Sequence, residues 1–170
     1  EQRRQQEVVA AYDVATGREL WTNGWDAAFV EALGGDGPRA TPTYHEGRLY
    51  ALGAEGEFRS LDAQTGSVFW RRNILDDADT NNLEWGMAAS PLIIDDKVIV
   101  LPGGPRGKSI IAYDKFNGRP VWNVLDDHQG NPPVANLFDQ FDGLIRLRRV
   151  QAGHGLVEHQ KAGPGGQRLG

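Results

Sequence analysis

The sequence contains no cysteine. That excludes a disulfide framework, a cysteine nucleophile and a thiolate metal site, and it leaves the compartment open. No apolar run approaches the ~18 residues that span a bilayer as a helix, so no transmembrane segment is expected. Positive charge is in deficit: 18 Lys and Arg against 23 Asp and Glu give a formal net charge of −5. With neither a basic stripe nor a polybasic tail, nucleic acid is not expected as a partner. Glycine, by contrast, is abundant, at 22 of 170 residues, against a usual level of ~7%. Combined with short runs of Val, Ile, Tyr and Trp, it points to many tight turns between short strands. The first residue is Glu1, with no charged-then-apolar leader before it. The sequence is read as starting inside a longer chain, with any signal peptide out of view.

An eleven-residue motif occurs three times. The copies are Ala11-Tyr12-Asp13-Val14-Ala15-Thr16-Gly17-Arg18-Glu19-Leu20-Trp21, Ser60-Leu61-Asp62-Ala63-Gln64-Thr65-Gly66-Ser67-Val68-Phe69-Trp70 and Ala112-Tyr113-Asp114-Lys115-Phe116-Asn117-Gly118-Arg119-Pro120-Val121-Trp122. Asp, Gly and Trp keep identical spacing, and the Asp residues lie 49 and then 52 positions apart. Upstream, the stretch from Thr41-Pro42 to Leu52 aligns with that from Ser90-Pro91 to Leu101. The difference in period falls in a loop, Gly53-Ala54-Glu55-Gly56 against Pro102-Gly103-Gly104-Pro105-Arg106-Gly107-Lys108, where length changes are tolerated.

Each unit reads as four short strands, at about 41–45, 48–52, 57–61 and 67–72 in the second unit. Glu46-Gly47 and Asp95-Asp96 are two-residue hairpin connections. Asp62 to Gly66 makes the third turn, with Gly66 free to take positive φ and Asp62 placed to cap its N–H groups. A four-stranded unit of roughly 40–50 residues is one blade of a propeller. A blade must stack on a neighbour to bury its faces. A tryptophan at a fixed place on the outer strand can lie across that seam. The periodic Asp13, Gly17, Trp21, Asp62, Gly66, Trp70, Asp114, Gly118 and Trp122 are therefore read as blade-docking residues rather than ligand contacts.

The pattern A-x-D-x-x-T-G-x-x-x-W resembles the tryptophan-docking motif of the PQQ-like β-propeller repeat family, over about residues 7–128. The resemblance implies an all-β fold: a β-propeller fragment of four-stranded antiparallel blades, with a blade end at 7–21 and blades at 40–72 and 89–124. Complete rings of the family have about seven or eight blades, so the neighbouring blades of a full-length propeller are the first implied partners. The family includes quinoprotein alcohol and sugar dehydrogenases, which hold pyrrolo-quinoline quinone (PQQ) and calcium near the axis, with a catalytic Asp and adjacent cysteines. It also includes quinone-free propellers such as the outer-membrane assembly lipoprotein. This sequence lacks the cysteines and shows no calcium-ligand set, so the expected role is a non-catalytic binding or assembly scaffold with no cofactor in this fragment. PQQ and calcium are implied only if the full-length protein is a dehydrogenase. A propeller sensor attached to a signalling domain is a third reading. By the same resemblance the location is periplasmic or otherwise extracytoplasmic, and a protein partner fits.

Two motif near-misses fail on their spacing. Gly103 to Ser109 ends like a phosphate loop, but its first glycine falls at Pro102 and a strand follows. Asp77 to Ala88 starts like a calcium loop, but Asn82 and Ala88 replace its Gly and Glu. His45 is read as structural, before a turn. Asp126-Asp127-His128 is read as a solvated connector, with an acid/base cluster as the alternative. The connectors 22–40 and 73–89 run from an outer strand to the next inner one, so they share a face. Within the first, 26–33 is a candidate short helix. Arg39, Asn82, Trp85 and Asp127 lie on connectors and form the candidate ligand or partner face. Trp25 and Trp85 stand outside the docking spacing, either as exposed anchors or packed against a blade.

After about Gly130 the motif stops. Residues 1–130 carry 13 basic and 20 acidic side chains, whereas 131–170 carry 5 and 3. The tail 131–170 is read as disordered or weakly helical, with helical spacing around 136–149. A sharper alternative is a shifted reading frame near His128 to Asn131, which translation of the other frames would test.

Overall fold

The computed structural model describes residues 1–125 as three antiparallel sheets. The first holds β1 (Gln2–Arg3), β2 (Gln6–Tyr12) and β3 (Glu19–Asp26). The second holds β4 (Thr43–His45), β5 (Arg48–Leu52), β6 (Glu57–Asp62) and β7 (Val68–Asn73), each strand beside its predecessor. The helical turn α1 (Ile74–Ala78) follows. The third sheet repeats the arrangement with β8 (Leu92–Ile94), β9 (Lys97–Val100), β10 (Ile110–Asp114) and β11 (Pro120–Val124). The tail and Asp126-Asp127-His128 lie outside the described residues.

The motif has the same backbone in all three copies. Asp13, Asp62 and Asp114 N–H groups each donate to a carbonyl five residues on, and Gly17, Gly66 and Gly118 N–H groups donate back to the Asp carbonyl at 2.8–2.9 Å. These glycines sit at φ +68°, +72° and +70°, the left-handed region that a Cβ disfavours. The Asp side chain caps the turn. Asp62 Oδ1 accepts from Gln64 and Thr65 N–H groups at 2.8 Å, and Asp114 Oδ1 from Phe116 and Asn117 N–H groups at 2.8 and 3.0 Å. A bulge follows in each copy. Ser60 pairs with Trp70 but Leu61 pairs with Val68, so Phe69 is the extra residue. Leu20 and Val121 occupy the same place. Such a bulge re-aims the side chain beside it, which here is the tryptophan.

The innermost strands adjoin through their Thr/Ser-Pro leaders. Thr41 N–H donates to Ser90 Oγ (3.0 Å) and Thr43 Oγ1 to the Pro91 carbonyl (2.6 Å). Between the second and third sheets lies an apolar core that includes Tyr50, Phe58, Trp70, Ile74, Val98, Ile111 and Tyr113. Phe58 meets Trp70 edge-on at 5.2 Å between centroids, a favoured aromatic geometry.

The connectors depart from expectation. No helix forms over 26–33: β3 continues to Asp26 and 27–31 are irregular. Phe29 is held by distant partners instead, its N–H donating to Gln2 Oε1 (3.0 Å) and its carbonyl accepting from Gly37 N–H (2.9 Å). The helical turn appears in the other connector. Asn73 caps it, accepting from Leu75 and Asp76 N–H groups at 2.9 and 3.3 Å. Asp76 and Asp77 occupy its first turn, where negative charge suits the helix end.

Two outcomes follow. A Cβ on Gly118 would lie 2.7 Å from the Trp70 ring, whereas one on Gly47, at φ +78°, would meet nothing within 4 Å. In the intact protein we expect Gly47→Ala to cost about 1 kcal/mol and Gly118→Ala a further ~1–3 kcal/mol from overpacking, read from urea midpoints. Asp13 is held below the usual carboxylate range by the Thr16 hydroxyl and N–H, and Asp62 by the Thr65 and Gln64 N–H groups. Carboxyls lowered by folding contribute stability that is present above about pH 4 and lost as pH falls through their folded pKa. The urea midpoint should therefore drop between about pH 4 and pH 2, and Asp62→Asn should flatten part of that drop.

Candidate functional site

The motif residues meet at the seams between sheets. Trp21 Nε1 donates to the Ala63 carbonyl at 3.3 Å, and Trp70 Nε1 to the Lys115 carbonyl at 3.1 Å. Ala63 and Lys115 each follow the motif Asp. A Cβ on Gly66 would lie 2.4 Å from Trp21, as one on Gly118 would crowd Trp70. Each indole thus rests on the glycine turn of the next sheet. Gly17 is open, with nothing within 4 Å of its Cβ position, and Trp122 is half-buried.

The seam between the second and third sheets is apolar with a few satisfied polar links. Tyr50 hydroxyl donates to the Lys115 carbonyl at 3.0 Å, so that oxygen accepts from both Tyr50 and Trp70. Arg72 and Asp77 form a two-bonded pair at 2.9 and 2.6 Å, and Tyr113 hydroxyl donates to Asp77 Oδ2 at 2.8 Å. Burial, and then the bond to Asp77, push the Tyr113 phenol well above its ordinary pKa. Lys115 Nζ lies 3.0 Å from His45 Nε2 and 3.1 Å from Glu46 Oε2, so His45 sits in a structural cluster.

The seam between the first and second sheets buries charged groups beside apolar ones such as Val8, Ala51 and Leu52. Glu7 is fully buried; its carboxylate accepts from Trp25 Nε1 and Ala54 N–H, both at 2.9 Å. Desolvation raises its pKa, and these two hydrogen bonds oppose the rise. Buried Arg59 donates through Nε to Glu57 Oε1 (2.7 Å) and through one terminal nitrogen to Asn23 Oδ1 (2.8 Å) and the Gly24 carbonyl (3.2 Å). Its guanidinium lies 4.8 Å from the Trp25 ring centroid. Trp25 is therefore a buried seam residue.

On the connector face, Arg39 reaches from the first connector to the second. It donates to the Trp85 carbonyl (2.6 Å), Glu31 Oε2 (3.0 Å) and the Gly35 carbonyl (3.1 Å). Asn82 Nδ2 donates to the Ala54 carbonyl at 3.0 Å. Trp85 is 50% exposed. The structure thus brings Arg39 to Trp85 through the Trp85 backbone and ties Asn82 to a blade loop; Asp127 lies outside the described residues. Sequence reading missed Glu7 and Arg59. Their charge inside strands of mixed polarity was the available signal. Among the described residues no three His, Asp or Glu side chains converge to hold a metal ion.

Comparison with known proteins places this geometry. The chain is 33% identical over 115 residues to 1-butanol dehydrogenase (cytochrome c) of Thauera butanivorans, covering 63% of this chain and 16% of that protein. It is 29% identical over 120 residues to quinohemoprotein alcohol dehydrogenase ADH IIB of Pseudomonas putida, covering 67% of this chain and 17% of that protein. The chain therefore spans about a sixth of the length of these relatives. The crystal structure of quinohemoprotein alcohol dehydrogenase from Comamonas testosteroni superposes with a TM-score of 0.50 at 25% identity, covering 68% of this chain and 18% of that one. The three sheets are blades of a β-propeller. The PQQ_2 family, described as outer membrane protein assembly factor BamB, matches residues 5–156, beyond the 7–128 over which the motif pattern was read. This chain belongs to the PQQ_2 family of PQQ-repeat propellers.

Proposed function

We propose that this chain is a wall segment of a larger propeller ring, joined blade to blade by tryptophan docking, and that it serves as a non-catalytic binding or assembly scaffold outside the cytoplasm. The observation that carries this reading is the seam. Both Trp21 and Trp70 place their indoles on a glycine turn and their N–H on a backbone carbonyl of the next sheet. The most conspicuous side chains of the repeat are thereby engaged in holding blades together. The extracytoplasmic and partner-binding parts rest on the family description, an outer membrane protein assembly factor. Among the described residues no helix is long and apolar enough to cross a membrane.

A second reading is a fragment of a PQQ-dependent alcohol or sugar dehydrogenase. The alcohol dehydrogenases among its relatives favour it. On this reading the remaining blades of the full-length protein would contribute to the quinone and calcium site. Incubating the intact protein with PQQ and calcium and following dye reduction with alcohols separates the two. The scaffold reading expects neither stoichiometric quinone binding nor turnover; turnover would overturn it.

The docking role has its own test. Trp70→Ala should cost about 3–5 kcal/mol in the intact protein. Asp77→Ala, which leaves buried Tyr113 without its acceptor, should cost about 1–3 kcal/mol. If Trp70→Ala left the denaturation midpoint unmoved, the docking role would be wrong.

A further inference from the structure

We propose that the seam between the first and second sheets binds a small hydroxylated carboxylate of sugar-acid size. This inference is independent of whether the ring is a scaffold or part of an oxidoreductase. Both walls of the site belong to this chain: the end of β3 and Gln6 on one side, β6 and β7 on the other. The cleft between them is about 490 Å³, within the range of small-molecule sites.

Its basic half is built from two arginines. Arg59 and Arg71 are register partners on β6 and β7, so their side chains leave the same face. Like charges set opposite each other are unfavourable; Glu57 offsets the charge of Arg59 and makes no bond to Arg71. Arg59 is only 8% exposed, and the Glu57, Asn23 and Gly24 bonds use its Nε and Nη1. Its Nη2 makes no hydrogen bond among the described residues, and Arg71 has no acceptor there at all. The Trp25 ring against Arg59 and the bonds on Nε and Nη1 hold that guanidinium in place. Two open guanidinium edges on one wall match the two oxygens of a carboxylate.

The other half selects what the carboxylate is attached to. Asp26, Glu55 and Glu57 also line the cleft. An inorganic anion such as sulfate only accepts hydrogen bonds, so it would face three carboxylates with nothing to offer them. Hydroxyl groups can donate to those carboxylates. They can also accept from the second N–H of the Gln6 and Asn73 amides, whose first is given to Asp26 Oδ1 (2.9 Å) and to the Glu55 carbonyl (3.3 Å). A ligand carrying one carboxylate and several hydroxyls satisfies both halves together.

The test is isothermal titration of the intact protein with sodium glucuronate. Glucose, which lacks the carboxylate, and cyclohexanecarboxylate, which lacks the hydroxyls, serve as matched probes, with sulfate as a plain anion. We expect glucuronate to bind at least about tenfold tighter than any of the three. Arg71→Met should weaken glucuronate at least about tenfold without lowering the melting temperature, because Arg71 is exposed and unbonded. Asp26→Asn should weaken glucuronate and leave sulfate unchanged or improved. Glucuronate binding no tighter than cyclohexanecarboxylate or sulfate, or unchanged by Arg71→Met, would overturn the proposal.

Discussion

The described structure depends on one contact: an indole laid on a glycine of the next sheet, with its N–H on a neighbouring carbonyl. The contact constrains both partners. The glycine must adopt positive φ to close its own turn, and it must also lack a Cβ because an aromatic ring occupies that space. One residue type meets both demands. The Asp cap upstream keeps the turn in shape, and the bulge downstream sets where the tryptophan emerges. At each of the two seams the tryptophan and the glycine therefore serve two sheets, their own and the adjoining one.

Around that common joint the two seams are filled differently. The second seam closes on Phe58, Trp70, Ile111 and Tyr113, with Asp77 satisfying both Arg72 and Tyr113. The first adds to its apolar residues a buried polar cluster of Glu7, Asn23, Trp25 and Arg59. A shared repeat thus fixes blade spacing while leaving the chemistry of each seam free to vary. That freedom is what lets one architecture hold a packed core in one seam and a polar cleft in the next.

Much of the fold was legible in the sequence because its signals are local. The Asp-to-Gly turn, the Glu46-Gly47 hairpin and the Asp–Gly–Trp spacing depend on residues within a few positions. The connector 26–33, a candidate short helix by sequence, is irregular because Phe29 is held by Gln2 and Gly37. The turn at α1 carried a signal in Asn73 and the acids after it, but it was too short to stand out. The seam chemistry was not legible. Glu7 meets Ala54, and Arg59 meets Asn23, across dozens of residues and between blades. Only the stacking of blades makes them neighbours. The Arg39 bridge to Trp85 is hidden in the same way, since it uses a backbone carbonyl that no side-chain pattern announces.

The contrast between the seams has a thermal consequence. Separating an apolar surface raises heat capacity, and exposing polar surface lowers it. The Phe58–Trp70–Tyr113 seam therefore loses strength on cooling, as hydrophobic association does, while the Glu7–Trp25–Arg59 seam, which buries polar groups as well, has less of this dependence. The ranking of the two joints is accordingly a function of temperature. A propeller built from seams of mixed chemistry has no single weakest joint across all conditions; warming and cooling shift the place where its ring would first come apart.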